Sequence, residues 1–391
     1  MPRNLVRGVV VAAIAVVVVA GVVLVVRSPT ASVPEPCGAG CPALVTSAQE
    51  LVARDGGPPG VIVLVDRMGT VTVHSVGTSD VGAATPITTG DTLRLASVSK
   101  AYSGAVALSL VAAGALHLTD TVGQWVPGMP PAWDPVTLAE LLQHTSGIPD
   151  FSQAPAFGPA VQASLLVPPS HVGLLQFAFG MPMTFTPPGT GYAYSNSDNV
   201  LVALMVDAAS HRTYEDELAQ RVLGPLGLRS TSLPAGADLP APFAHGYTVA
   251  AGTAPDDVTS LFAAGWSWSS GGVVATPADL DRFVRAYVRG ATTSTAVRAE
   301  QFRFRPGSSE PEGPGSNAAG LGIFRYRTRC GTVYGHTGNT SGYTQFAAAS
   351  ADGSRSVVVS VNAQITPRTP GAASAQLRHV ETLAVCATLA H

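Results

Sequence analysis

Residues 97–113, SVSKAYSGAVALSLVAA, combine a predicted buried helix with two reactive side chains at its start. From Ser99 onward the sequence is mostly apolar and unbroken, which predicts a buried helix that Gly114 ends. Ser97 and Lys100 are three residues apart, about one helical turn, so both side chains project from the same face. The helix N-terminus places unpaired N–H groups and a partial positive charge beside them.

Lys100 is the single lysine among the 22 basic residues of the chain, because the other 21 are arginines. Either residue serves as a solvated surface cation, but only lysine loses its proton when it is buried. Serine is a weak nucleophile that needs an adjacent base, and a neutral lysine is such a base. The pattern therefore predicts that Ser97 and Lys100 are catalytic, with Ser97 as the nucleophile.

Strand-forming sequence lies at both ends of the 391-residue chain, and helical sequence lies in the middle. Strand patterns occur between residues 61 and 76 and between 320 and 362, the latter beginning with Gly320 to Tyr326. Helices separated by proline-rich loops are expected in residues 115–260, including one that Asp198 caps. A sheet built from the two ends of the chain, with a helical insertion, predicts an α+β fold.

The composition excludes several classes of protein. Charged residues make up 12% of the chain and the net charge is −3, whereas soluble domains average about 25% charged residues. This excludes a charged disordered tail and a long charged coiled coil. No basic run or stripe is present, so we expect no nucleic-acid partner. The nine histidines show no ligand spacing to the cysteines, so we expect neither a metal nor a cofactor.

The N-terminal segment, residues 1–27, predicts export of the rest of the chain. Gly8 to Val26 is an uninterrupted apolar run of 19 residues, long enough to cross a bilayer, and Arg3 and Arg7 precede it. This charge arrangement leaves the N-terminus in the cytoplasm. Residues 8–26 are either a retained membrane anchor or a signal segment that is removed; both alternatives make the body extracytoplasmic.

The remaining residues divide into a linker and two predicted domains. Residues 28–42 form a Pro/Gly/Ser/Ala-rich linker. Residues 43–100 and 260–391 are assigned to an α/β sheet domain. Residues 101–259 are assigned to a mainly helical domain inserted into it.

Four cysteines in an exported chain favour disulfide bonds, and three pairings are open. A Cys37–Cys41 bond would close a small ring. A Cys330–Cys386 bond would join a strand region to the C-terminal helix, and the loop-entropy model gives it about 4 kcal/mol.

Two further short motifs carry groups that suit acyl transfer. In Tyr194-Ser195-Asn196, the phenol of Tyr194 can relay a proton and the amide of Asn196 can bind a substrate amide. In His336-Thr337-Gly338, followed by Asn339, the glycine lets a substrate approach the strand closely. Thr337 is a candidate for binding a carboxylate, and His336 a candidate for a polar or positive edge.

Ser-x-x-Lys, Tyr-Ser-Asn and His-Thr-Gly, in this order, make the chain similar to the penicillin-recognising serine hydrolases. It resembles the class C β-lactamases and, more closely, the secreted serine-type D-alanyl-D-alanine carboxypeptidases. The resemblance extends over about residues 45–390. It also includes the stretches 141–147 (LLQHTSG), 188–189 (PG), 266–272 (WSWSSGG) and 330–338 (CGTVYGHTG).

The resemblance implies a β-lactamase/transpeptidase-like fold, with an antiparallel sheet flanked by the terminal helices and an inserted helical domain. It implies that Ser97 is acylated, that Lys100 and Tyr194 share proton transfer, and that the backbone N–H groups of Ser97 and Asn339 stabilise the oxyanion. Which of Lys100 and Tyr194 is the general base stays open.

Three other residues, Trp266, His144 and Arg325, have expected roles in or near this site. Trp266 is a candidate wall of the cleft, and His144 is expected to brace a turn rather than to act in catalysis. Close carboxypeptidases carry a cation directly after the apolar run at residues 320–323, where this chain has Phe324; Arg325 is the nearest candidate for binding substrate. This departure weakens the carboxypeptidase assignment and leaves room for an esterase.

The motifs predict an exported serine acyl hydrolase that acts on D-Ala-D-Ala ends of cell-wall peptidoglycan or on β-lactams. The alternative on the same scaffold is an esterase or a D-amino-acid amidase. A non-catalytic, membrane-tethered β-lactam sensor is a third hypothesis, but a binding protein needs no lysine that can lose its proton.

Overall fold

A computed structural model describes residues 41–308, 312–367, 369 and 373–390. The predicted anchor or signal segment, nearly all of the linker, and Cys37 lie outside the described residues. Within the described ranges, no helix combines the length and the apolar character that a membrane span requires.

The helices of the described residues are bounded as follows: α1 Pro42–Ala53, α2 Ser99–Ala112, α3 Val122–Trp125, α4 Leu138–Gln143, α5 Phe157–Ala163, α6 His171–Gln176, α7 Asn196–Ser210, α8 Tyr214–Leu218, α9 Gly224–Leu226, α10 Pro277–Arg289, α11 Thr295–Gln301 and α12 Ala373–Leu389. The strands are β1 Gly60–Arg67, β2 Thr70–Asp80, β3 Thr85–Pro86, β4 Leu93–Arg94, β5 Thr231–Ser232, β6 Tyr247–Thr248, β7 Asp256–Asp257, β8 Val274–Ala275, β9 Ser316–Ala319, β10 Phe324–Thr328, β11 Gly331–Thr340, β12 Tyr343–Ala349 and β13 Arg355–Val361.

The main sheet draws its strands from the two ends of the chain. Among the described residues it has eight strands in the order β3-β2-β1-β13-β12-β11-β10-β9. All neighbours are antiparallel, and β1 joins the two halves by pairing with β13, for example Val63 with Val359. The predicted α+β fold, with an antiparallel sheet and a helical middle, is confirmed.

Alternation along β1 explains why both faces of the sheet are covered. Val63 belongs to a core formed with the terminal helices α1 and α12, where Leu44 and Leu377 are fully buried. Leu64, on the opposite face, belongs to the core shared with α2, α7 and α10. Burying each such aliphatic side chain contributes about 1.5–3 kcal/mol. The proposed boundaries between the two domains stay a prediction.

Two local predictions are wrong. Gly320 to Tyr326 is not one strand, because a turn separates β9 from β10: Gly320 N donates to Ile323 O at 2.8 Å and Gly322 has φ 65°. Asp198 does not cap a helix, because α7 begins at Asn196 and Asp198 is completely buried within its first turn.

A disulfide bond joins Cys330, in the turn between β10 and β11, to Cys386 of α12. It links the sheet to the C-terminal helix, as one of the three open pairings would. The Cys37–Cys41 pairing depends on a residue outside the described ranges.

Candidate active site

The backbone around Ser97 is held in an unusual conformation. Ala96, directly before it, has φ 49°, a left-handed conformation that costs a non-glycine residue about 1–3 kcal/mol and is typical of functional sites. A short 3-10 turn, Ala96–Val98, then leads into α2. At Gly338 a Cβ atom would lie 2.1 Å from Leu95 O, so only glycine lets β11 pass this close to the segment before Ser97.

Lys100 is buried, with 1% of its surface exposed, and its amine has three polar partners. Nζ lies 2.7 Å from Asn196 Oδ1, 2.7 Å from Ser270 O and 3.1 Å from Ser97 Oγ. A neutral amine has two hydrogens and one lone pair. In this form it can donate to the two carbonyl oxygens and accept a hydrogen bond from the Ser97 hydroxyl, so every contact is satisfied; the charged form would donate to all three oxygens.

Burial lowers the pKa of Lys100 to about 7, although the nearby charges of Asp150 and Asp198 act to raise it. The amine is therefore largely neutral in mildly alkaline solution, where its lone pair is available to accept a proton. This is the range in which a general base works best near neutral pH. The Ser97–Lys100 contact that the spacing predicts is present, and the geometry suits the proton-transfer role.

Helix α7 brings the second motif to the same place. Asn196 Oδ1 accepts from Lys100, while Asn196 Nδ2 donates to Asp150 Oδ2 at 2.9 Å and to Ser152 Oγ at 3.1 Å. The Tyr194 ring lies with its centre 4.9 Å from Lys100 Nζ, and Tyr194 lines a cavity with Ser97.

A buried polar cluster of His144, Ser146 and Asp198 packs against Tyr194. His144 Nδ1 lies 2.8 Å from Asp198 Oδ2, and Ser146 Oγ donates to Asp198 Oδ1 at 2.6 Å. The rings of His144 and Tyr194 are 4.5 Å apart. Burial lowers the pKa of His144 and raises that of Asp198. His144 therefore occupies a bracing position, as expected, and it braces Tyr194 as well as a turn.

The third motif lies on β11 and carries no positive charge. His336 is buried, its Nδ1–H donates to Thr337 O at 2.5 Å, and desolvation lowers the pKa of the ring to about 3. Of the two alternatives expected for His336, a polar or a positive edge, the positive one is therefore wrong, and the ring is polar but neutral. Thr337, Gly338 and Asn339 line the same cavity as Ser97, and their role in substrate binding stays a prediction.

Two cavities meet at Ser97, Asn196 and Asn339, and they differ in character. One, of about 540 Å³, contains the charged side chains Asp150, Glu312 and Arg378 and is also lined by Tyr194 and Thr337. The other, of about 390 Å³, is mainly apolar and is lined by aromatic side chains from three segments: Phe151, Phe157, Phe262 and Trp266. We call them the polar cavity and the apolar cavity.

Of the two more distant substrate-binding candidates, Trp266 and Arg325, only Trp266 lines a cavity at the site. Trp266 lines the apolar cavity, as predicted, and its Nε1 donates to Ser164 O at 3.1 Å. Arg325 lines neither cavity: its guanidinium stacks on Phe304, 5.0 Å from the ring centre. Alternation along β10 sends Phe324 to the opposite face, against His336. The assignment of Arg325 to substrate binding is therefore wrong.

Sequence reasoning missed three groups at this site. Asp150 accepts from Asn196, the Ser270 carbonyl accepts from Lys100, and Arg378 of α12 lines the polar cavity. Stretches 141–147 and 266–272 pointed to the neighbourhoods of Asp150 and Ser270, but nothing in the sequence pointed to Arg378. In the described part of the chain, no three His, Cys, Asp or Glu side chains are grouped to hold a metal ion.

Comparisons with known proteins agree with this geometry. The family model "Beta-lactamase" matches residues 44–381. Penicillin-binding protein 4* of Bacillus subtilis is 30% identical over 163 residues, which cover 40% of this chain and 34% of that protein. A D-aminopeptidase of Brucella anthropi is 27% identical over 193 residues, covering 48% and 36%. The chain thus spans about a third of the length of these curated relatives.

Solved structures are similar over most of their length. A D-stereospecific amidohydrolase from Streptomyces sp. has a TM-score of 0.73 and 27% identity, covering 82% of this chain and 94% of that one. The D-amino acid amidase of Ochrobactrum anthropi SV3 has a TM-score of 0.75 at 24% identity, covering 89% and 96%, and shares the fold. With a family match over most of its length and the three motifs assembled around Ser97, the chain belongs to the β-lactamase family of serine hydrolases.

Proposed function

We propose that this protein hydrolyses small D-aminoacyl amides through an acyl-enzyme on Ser97. The observation that carries the proposal is the buried Lys100 amine, 3.1 Å from Ser97 Oγ and satisfied in its neutral form. The Streptomyces D-stereospecific amidohydrolase and the Brucella D-aminopeptidase support an amide substrate with D configuration.

We assign a residue to each step of the reaction. Ser97 Oγ attacks the substrate carbonyl carbon while its proton passes to Lys100 Nζ, and the backbone N–H groups of Ser97 and Asn339 stabilise the oxyanion. The C–N bond then breaks as the leaving nitrogen takes a proton that Tyr194 relays from Lys100. Water hydrolyses the ester by the same steps in reverse order, which regenerates Ser97 and releases the acid.

The apolar cavity favours substrates whose acyl group has a bulky side chain. Its aromatic lining provides area for hydrophobic contact beside Ser97, and such contact is worth about 25 cal/mol per Å² buried. A D-phenylalanyl group is large enough to use this surface, and a D-alanyl group is not.

Trp266→Ala is expected to reduce the preference for D-phenylalanine p-nitroanilide over D-alanine p-nitroanilide about tenfold in kcat/KM, because one aromatic wall is lost. The matched control is Trp125→Ala, a half-buried tryptophan that lines neither cavity. The proposal fails if the wild-type protein cleaves neither anilide. An equal fall in preference in both variants would show that the cavity does not select the side chain.

A second candidate is a D-Ala-D-Ala carboxypeptidase or β-lactam-binding enzyme acting on cell-wall peptidoglycan. Relatives named as penicillin-binding proteins favour it. Intact-mass measurement after incubation with benzylpenicillin distinguishes the two. A stable adduct on Ser97, together with faster cleavage of a D-Ala-D-Ala peptide than of either anilide, would replace the amidase by this candidate.

We also propose that the body of the protein is exported, either held by residues 8–26 or released after cleavage. The apolar run after Arg3 and Arg7 and the Cys330–Cys386 disulfide support this proposal. Alkaline phosphatase fused after residue 391 is expected to be active in a bacterial host, and to lose its activity when residues 1–27 are deleted. Equal activity of both fusions would contradict export by this segment.

A further inference from the structure

The position of Tyr194 assigns the leaving group to the polar cavity. A general acid must come within about 2.6–3.2 Å of the nitrogen that it protonates. Tyr194 lines the polar cavity and does not line the apolar one. The departing amine therefore leaves through the polar cavity, and the acyl side chain occupies the apolar cavity. This step rests on the proposed function.

The charged side chains that line the polar cavity are two carboxylates and one guanidinium. Arg378 is already paired, with Nη1 2.5 Å from Glu381 Oε2, and Glu381 is buried. Burial acts to lower the pKa of Arg378, but the charges of Glu381 and Glu312 outweigh it and raise this pKa. The guanidinium is therefore compensated by the protein and is not a free partner for a substrate carboxylate.

Other cations near the leaving-group side are absent or neutral in the described residues. His336 is uncharged, Arg325 stacks on Phe304 away from the cavity, and Lys100 acts in its neutral form. Within the described ranges neither Asp150 nor Glu312 takes part in an ion pair. The net charge facing the leaving group is negative.

Of the two carboxylates in the polar cavity, that of Asp150 is held in position by hydrogen bonds. Its Oδ2 accepts from Asn196 Nδ2, and its Oδ1 accepts from both the N–H and the hydroxyl of Ser152 at 2.9 Å. The carboxylate is half-buried and close enough to Lys100 to affect its pKa. Glu312 is exposed, so solvent screens its charge more strongly.

We propose that the polar cavity selects neutral or cationic leaving groups and rejects leaving groups that end in a free carboxylate, with Asp150 as the residue that determines this specificity. Like charges about 6 Å apart near a protein surface repel by about 1.4 kcal/mol or more, which corresponds to a discrimination of about tenfold or greater. The protein would accordingly cleave primary amides, amide-capped peptides and amine-bearing leaving groups in preference to peptides with a free C-terminus.

The test uses three substrates with the same N-acetyl-D-phenylalanyl group and different leaving groups: glycine, glycinamide and ethylenediamine. Measurement of kcat/KM at pH 9, above the pKa of Lys100, keeps the base neutral in every variant. The wild-type protein is expected to favour glycinamide and ethylenediamine over glycine at least about tenfold. Asp150→Asn, which is nearly isosteric, is expected to bring these ratios close to one.

Glu312→Gln serves as the comparison variant, because it removes the other carboxylate of the same cavity. Its ratios are expected to change less than about threefold, since the side chain is exposed. Ratios within one variant cancel any general loss of activity. The proposal is overturned if the wild-type protein prefers glycine, if Asp150→Asn leaves the ratios unchanged, or if Glu312→Gln changes them more than Asp150→Asn does.

Failure of the proposed amidase activity would be recognised separately. If no amide is cleaved, calorimetric binding of the glycine and glycinamide compounds to the Ser97→Ala protein still compares the two charges. Tighter binding of the glycinamide compound, lost in Ser97→Ala/Asp150→Asn, supports the selectivity although the amidase proposal has failed. Without such a difference in binding, the selectivity is wrong as well.

Discussion

Replacing Lys100 by arginine is expected to lower kcat for amide hydrolysis by about 10³-fold or more. Arginine keeps the positive charge and the hydrogen-bond donors, but it does not release its proton in a protein. Ser97 would then lose the lone pair that accepts its proton. The measurement is single-turnover acylation of the variant with an activated amide, alongside the wild-type protein.

Arginine is larger than lysine, so Lys100→Met is the companion variant. It keeps the length of the side chain, removes the amine and is expected to be as inactive as Lys100→Arg. Thermal unfolding of both variants shows whether the fold is retained. Substantial activity in a folded Lys100→Arg protein would contradict the assignment of Lys100 as the base.

The rate is expected to depend steeply on pH below about 7. Lys100 must be neutral to accept the Ser97 proton, and its pKa is about 7 because the amine is desolvated. As the pH falls below this value the neutral fraction falls tenfold per unit, so kcat/KM at pH 5 should be about 100-fold below its plateau. Above the pKa the amine is neutral, and the rate should level off.

A variant that changes the charge next to Lys100 provides the control for this pH profile. The Asp150 carboxylate favours the protonated amine, so Asp150→Asn is expected to move the acid limb to lower pH. His336 is neutral throughout this range and adds no limb near its ordinary pKa. A rate independent of pH between 5 and 9 would mean that no group with the pKa of Lys100 takes part.

Local sequence was sufficient to predict the contact between Ser97 and Lys100. Ser97 and Lys100 lie one turn apart on one helix, so their contact depends on helical geometry and on little else. The fold class was predictable for a similar reason: strand and helix periodicities are local, and their distribution along the chain predicted a sheet from the two ends with helices between.

For segments far apart in the chain, the sequence predicted a shared site only where the residues belong to a recognisable motif. Lys100 Nζ and Asn196 Oδ1 are joined across 96 residues, and Lys100 Nζ and Ser270 O across 170. The resemblance to known hydrolases placed Asn196 near the site. It did not identify the Ser270 carbonyl, because a backbone acceptor has no residue type to recognise.

At the site, the sequence could not fix the direction or the charge of particular side chains. Arg325 was expected beside the substrate. The turn at residues 320–323 determines where β10 begins, and alternation along this strand then places Arg325 on the opposite face, against Phe304. For His336 the sequence left a polar and a positive edge open, and burial excludes the positive one because the ring is neutral. The sequence by itself determined the architecture and the proximity of Ser97 and Lys100, since these depend on periodicity and local spacing. Only the tertiary structure decided which charges face the leaving group, because exposure, pairing and desolvation arise where segments far apart in the chain pack together.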